Sequence, residues 1–325
     1  MLKVFITIDT EFWPRKQYRP DSQDHLDDFQ RDIHGHTPDG DFGLGFQLDA
    51  LSHHGLRAVC LVEALNSFAV GLEPLREMVR LVREKGHDLQ LHLHTEWLSW
   101  MPQSILPGRS GQNMHQFSED EQSLLIASGL AKMRECGADN ICAFRAGNYG
   151  ADLGTLRALA RNGILYDTSH NTGYLDSTCH IHVDKLLVQP EKVAGVLEVP
   201  ISFFRDLRGV RHAQLAACSS AELEYALLEA WKQGWQSFVI VSHSFELLRR
   251  SKTKMGARVD TVVLRRFERL CRFLKANEDK FETCTFSDAP TFSDPAADSV
   301  STPIRMQTIH TLGRFLQQLR RRLPL

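Results

Sequence analysis

The chain has 325 residues, 42% of them hydrophobic and 24% charged, enough to bury a large core within a single α/β barrel carrying inserted loops. A formal net charge of −2 and a pI near 6.7 exclude a chain built as a whole to hold nucleic acid. Seven cysteines without any C-x-x-C spacing exclude a disulfide framework and a zinc finger, and no apolar run reaches the roughly 18 residues needed to span a bilayer.

In chain order, Met1–Lys3 lead straight into an apolar run, Val4–Ile8, with no signal peptide before it, and together with the cysteine usage this predicts a cytoplasmic protein. Further runs follow at 56–63, 87–94, 140–145, 163–169, 195–200 and 237–243, seven in all. Amphipathic stretches separate them, the pattern of parallel strands covered by helices. Leu75, Met78, Val79 and Val82 share a face after Pro74, and Gly86 stops that helix. Ser118 with Glu121, and Ser219 with Glu222, form capping boxes ahead of helices ending at Gly137 and Gly234; another apolar stripe runs from Asp260 to Leu274.

Two polar segments interrupt the alternation. Residues 14–46 are too long for an ordinary connection and read as a loop draped over one end of the barrel, and 97–117 reads as a lid. The barrel domain is assigned to 1–286 and a linker to 287–303. A C-terminal helix, 304–325, puts Ile309, Leu312, Phe315, Leu316, Leu319 and Leu323 on one face and carries only arginine as charge. It either docks that face on the barrel or rests on an anionic membrane surface.

The unusual polar residues fall at strand C-termini, where α/β barrels assemble their active sites: Asp9 and Glu11, His92 and His94, Arg145, Asp167 and His243. Residues two apart on a strand face one side, so D-x-E presents two carboxylates together and H-x-H two imidazoles. Two neutral imidazoles with one carboxylate, from Glu11 or Asp9, around an open position is the ligand set of a hydrolytic zinc site.

Five short stretches resemble, in order, the motifs of the polysaccharide deacetylase family, the NodB-homology carbohydrate esterases. These are "TIDTE" (7–11), "HLHTEW" (92–97), "RAGNYG" (145–150), "YDTSH" (166–170) and "IVSHS" (240–244). The resemblance spans residues 4 to about 286 and implies an α/β fold, a distorted seven-stranded (β/α) barrel with long inserted loops. It implies Zn2+ or another divalent transition metal on Glu11, His92 and His94, with Asp9 as base oriented by Arg145. It further implies substrate contacts at Asn148 and Tyr149, an oxyanion-holding backbone amide near Tyr149, and His243 as acid oriented by Asp167. Departures from the family pattern are Thr10 in place of its second Asp, a histidine spacing that would put a ligand at Glu96, and a fourth motif without its Trp and Arg.

The activity so implied is removal of an N-acetyl or N-formyl group from an amino sugar, nucleotide- or lipid-linked, in bacterial surface polysaccharide or lipid-linked glycan synthesis. Trp13, Trp97 and Trp100 either stack on sugar rings or pack the loops onto the barrel. An amidohydrolase-type C–N hydrolase is the rival enzyme, but its H-x-H lies on the first strand. A silent carbohydrate-binding protein on the same fold is the rival from another class, yet every catalytic position is filled. No nucleic-acid partner is implied.

Overall fold

The computed structural model describes residues 1–14, 24–250, 257–293 and 302–322. Each of the seven apolar runs supplies one strand: β1 (Leu2–Thr10), β2 (Ala58–Glu63), β3 (Asp88–Leu93), β4 (Ala143–Ala146), β5 (Tyr166–Asp167), β6 (Val196–Glu198) and β7 (Ser237–His243). All run parallel, in the order β7-β1-β2-β3-β4-β5-β6. Two further short strands complete a nine-stranded sheet: Glu191–Val193, antiparallel to β6, and Phe281–Thr283, parallel to the start of β1.

The α/β fold expected as a distorted seven-stranded barrel takes the form of a curled half-barrel sheet with an irregular seam. Among the described residues no ladder joins β6 to β7. The free edge of β7 is met by a loop: Val241 donates to the Ala213 carbonyl and accepts from Leu215, while the Val239 amide donates to Ser202 Oγ. The physical reason lies in strand length, since β5 and β6 have two and three residues and offer few ladder bonds with which to pull the sheet shut.

Alternation along the strands separates two cores. Phe5, Val59, Leu61, Ala143, Val239 and Val241 face the interior, and the intervening Val4, Ile6, Ile8, Cys60 and Val62 face outward beneath the helices. Phe286 closes the interior from below, its ring 4.9 Å from Phe5 and 5.3 Å from Tyr166. Side chains above Phe5 on β1 therefore climb the inner wall, from Thr7 to Asp9 at its mouth.

The outer layer contains α1 (Leu44–His53), α2 (Glu73–Glu84), α3 (Glu119–Glu135), α4 (Leu153–Arg161), α5 (Ser220–Lys232), α6 (Thr261–Ala276) and α7 (Thr308–Arg322). Both capping boxes form, and Leu75, Met78, Val79 and Val82 are buried. None of these helices is long and apolar enough to cross a membrane.

Where described, the 14–46 segment is more ordered in structure than a draped loop. It contains a helix at Asp24–Phe29, a π-turn at Gln30–His34, a hairpin of His36–Thr37 with Gly40–Asp41, and the start of α1. Arg31 and Asp32 grip the backbone just past β1: Arg31 Nη2 donates to the Trp13 carbonyl, and the Trp13 amide donates to Asp32 Oδ2.

The C-terminal helix departs from expectation most. Among its described side chains the buried ones are Thr311 and Arg314, whereas Ile309 and Leu312 are 70% and 54% exposed. Arg314 reaches Glu222 (2.9 Å) and Asp206 (2.9 Å), so α7 docks by charge and turns the start of its apolar face outward. The side chains of Leu316 and Leu319, and Leu323 altogether, lie outside what is described, as does part of the linker.

Replacing Phe286 by alanine removes the ring that fills the sheet's lower interior. A loss of about 3–5 kcal/mol is expected in urea unfolding, with the site geometry above it retained.

Candidate active site

The C-terminal end of β1 projects Asp9 into the interior mouth, with Glu11 just beyond the strand. Next to them, β7 ends at His243, which is in register with Asp9. Ser244 ties the two strand ends together, its amide donating to the Asp9 carbonyl and its hydroxyl to that of Glu11. From α1, the Gln47 amide group donates to the carbonyls of His243 and Ser244.

Across the mouth, Arg145 on β4 is fully buried and donates from Nη1 to Asp9 Oδ1 at 2.6 Å. Its Nε donates to the Thr168 carbonyl, which sets the guanidinium plane. Its own backbone carbonyl lies 2.8 Å from His92 Nδ1. A carbonyl only accepts, so Nδ1 carries the proton and Nε2 keeps its lone pair.

His94 is held in the same way. Its Nδ1 lies 3.2 Å from Glu96 Oε2, leaving Nε2 to approach Glu11 Oε2 at 2.8 Å, while His92 Nε2 is 3.6 Å from that same oxygen. One ligand atom from each of Glu11, His92 and His94 lies within 4.8 Å of the others. Two imidazole lone pairs and a carboxylate aimed at one point are the donor set a divalent transition metal takes, so the residues fit such an ion. Glu96 stands behind His94 as an orienting carboxylate, rather than on the ligand side.

The charges support the same reading. Burial pushes Glu11 up, but His94 and His92 outweigh it and hold the carboxyl well below its ordinary value. At His94, burial opposes the imidazolium, yet Glu11 and Glu96 hold the ring well above its usual pKa. Beneath them Glu63, buried and accepting from the amides of Leu65 and His94, is pushed up to about 8 by burial.

A Cβ at Gly147 would come within 2.5 Å of the His94 ring, so only glycine allows the imidazole its place. Directly after it, Asn148 (φ 56°) and Tyr149 (φ 58°) adopt the left-handed conformation that non-glycine residues rarely take. This turn is fastened by Asn148 Nδ2, which donates to Glu96 Oε1 (2.7 Å) and the Gln112 carbonyl, and by Thr178, which donates to the Asn148 carbonyl. The Asn148 side chain is thus engaged in holding the turn.

Asp167 is not brought to His243. It is buried, accepts from the amide and hydroxyl of Ser169, and faces Glu198 in register on β6; burial raises the Asp167 carboxyl. The orienting acid of His243 is instead Glu246, whose Oε2 lies 2.6 Å from His243 Nδ1. The tight turn after β7 folds Glu246 back, and its other oxygen accepts from the Ala216 amide and Gln214 Nε2. Burial lowers His243, but Glu246 first, then Asp9 and Glu11, raise it to about 9.

Asp9, Glu11, His92, His94, Glu96 and His243 open on a cavity of about 450 Å³. Tyr149, Tyr174 and His212 form one aromatic wall, with ring centroids 5.3 to 6.0 Å apart, and Gln112, Asn113, Thr178 and Gln214 add polar groups. The segment read as a lid contributes Gln112 and Asn113 as a fixed wall, since Thr95 Oγ1 donates to Gly111 and Asn113 caps a short helix. Of the tryptophans, Trp13 lines the cavity against His94, Trp97 is buried, and Trp100 packs on Trp97.

No family model matches the chain, and no curated protein matches it. Among solved structures it is similar to a Mycobacterium smegmatis protein described as a polysaccharide deacetylase, at 17% identity and a TM-score of 0.52, over 89% of this chain and 88% of the other. The chain has the polysaccharide deacetylase fold. A family 4 carbohydrate esterase from Streptomyces lividans in complex with acetate is more distant: 11% identity, TM-score 0.42, over 87% of this chain and 92% of the other.

Removing the carboxylate behind His94, by Glu96→Gln, is expected to weaken zinc binding about 10–100-fold in competition with a chromophoric chelator. Thermal stability should change little.

Proposed function

We propose that this protein is a metal-dependent deacylase that hydrolyses the N-acyl group, acetyl or formyl, of an amino sugar. The observation that supports this reading best is the convergence of three arrangements on one cavity: the Glu11/His92/His94 donor set, the Asp9–Arg145 pair and the His243–Glu246 pair. When bound, a divalent ion such as Zn2+ supplies Lewis-acid polarisation and makes a water acidic enough to attack near neutral pH.

The chain's own residues do the rest. Asp9, fixed by Arg145, takes a proton from the attacking water as its oxygen bonds to the amide carbon. The strained turn at Asn148–Tyr149 offers backbone N–H groups to the oxyanion, as preorganised donors whose reorganisation cost is met on folding. His243, protonated through its pairing with Glu246, gives a proton to the nitrogen as the C–N bond breaks, so carboxylic acid and free amine leave. Asp167 acts at most through the strand that carries Arg145's partner Thr168.

The aromatic and amide-rich wall suits a sugar ring, which presents C–H groups to rings and hydroxyls to amides. A nucleotide- or lipid-linked N-acylated sugar of surface polysaccharide or lipid-linked glycan synthesis is the substrate class this reading carries forward.

Asp9→Asn and His243→Ala are each expected to lower kcat for acetate or formate release from N-acylated glucosamine derivatives by about 10²–10⁴, with circular dichroism and zinc content unchanged. Wild-type turnover in either variant would remove the proposed mechanism.

The pH profile tests the acid separately. A general acid must be protonated, so activity falls as pH rises through its pKa. With His243 raised to about 9, the alkaline limb lies toward that value, lower to the extent that a cation neutralises Glu11. Glu246→Gln removes the largest raising influence and should move the limb toward the ordinary histidine range. An unmoved limb would mean that Glu246 does not set this proton.

A further inference from the structure

Arg314 is the observation that opens this inference. It is 4% exposed, and its guanidinium is divided between Glu222 and Asp206, whose side chains are fully buried. Arg266 adds contacts from α6 to Gln317. Among its described side chains, α7 is therefore fastened to the body at Arg314 and Gln317, by polar and charged groups, whereas an ordinary surface helix buries its apolar stripe.

The consequence is an outward apolar face that no described element covers at Ile309 and Leu312. Beside it stands the tip of the hairpin formed by Phe203–Asp206 and Gly209–His212. There Leu207 is 68% exposed, and Arg208 lies over the Phe315 ring at 4.5 Å. The pair Asp206–Arg314, with Arg208 over Phe315, joins that tip to the helix.

Charge selects the occupant. From residue 302 to the end, the sequence holds no Asp or Glu and five arginines; Arg314 is spent on Glu222 and Asp206, which leaves Arg305, Arg320, Arg321 and Arg322 as the segment's further positive charge. We propose that α7 and the adjoining hairpin tip form a docking surface for an anionic lipid bilayer, on which exposed apolar side chains enter the headgroup boundary and arginines meet lipid phosphates. A second protein chain would fit the apolar residues, but it gives no reason for an acid-free, arginine-rich segment. The proposal rests on the helix alone and is independent of the catalytic reading.

The test is co-sedimentation of the full chain with vesicles of phosphatidylcholine alone and with about 30% phosphatidylglycerol added. Binding is expected only to the anionic vesicles, and it should weaken as salt is raised to about 0.5 M. Ile309→Asp with Leu312→Asp, and separately Arg320→Gln with Arg321→Gln and Arg322→Gln, should each reduce binding about tenfold or more, with circular dichroism and zinc binding unchanged. The proposal is overturned by equal binding to neutral vesicles, by undiminished binding of the aspartate variant, or by absence of binding. A concentration-dependent dimer that the aspartate variant abolishes, without vesicle binding, would assign the surface to a second copy instead.

Discussion

The arrangement depends on one ion pair. Asp9 and Arg145 lie 136 residues apart in sequence and meet at 2.6 Å across the mouth of the curled sheet, both almost wholly out of water. Taking either charge out of water is costly, and removing one partner of such a pair strands the other, at a cost of about 3–5 kcal/mol. Here the pair also sets geometry. The guanidinium fixes the Asp9 carboxylate, and the carbonyl of the same arginine fixes the tautomer of His92, so one residue couples Asp9 to the Glu11/His92/His94 cluster.

That coupling explains why the site sits at strand ends rather than on mobile loops. Asp9, His92, Arg145 and His243 are strand residues whose positions are set by ladders, and adjacent strands place Asp9 beside His243 and His92 beside Arg145. Just past the strand ends come Glu11 and His94, and the loops add the left-handed turn at 148–149, the return of Glu246, and the wall at Gln112 and Asn113. Preorganisation of this kind places dipoles before the reaction needs them.

Much of this was legible from spacing alone. Period-two alternation on β1 puts Phe5, Thr7 and Asp9 on one side, and H-x-H does the same for the imidazoles, since face follows from parity. What parity does not reveal is the second partner of each group. Glu246 reads as a turn residue three beyond a strand, and nothing local distinguishes it from Asp167, which ends a strand as an acid should yet spends its oxygens on Ser169. Glu96 could be assigned either as ligand or as support until the orientation of the His94 ring was known. Glu63 and Gln47 act on backbone groups of distant strands, which no pattern in their own neighbourhoods marks.

The C-terminal helix shows the limit of periodicity most clearly. Its apolar stripe predicts which residues share a face, and that is a property of the helix; which face turns inward is a property of the surface it meets. Here that surface offers Asp206 and Glu222, and Arg314 meets both, with Arg211 a second and more distant partner of Asp206 at 3.5 Å. Rotating the helix to bury Ile309 and Leu312 would gain roughly 1.5–3 kcal/mol per side chain from water exclusion, but it would take Arg314 from the buried Glu222 and leave Asp206 only the more distant Arg211, at a cost of several kcal/mol. The charge requirement wins, and Ile309 and Leu312 are left facing outward.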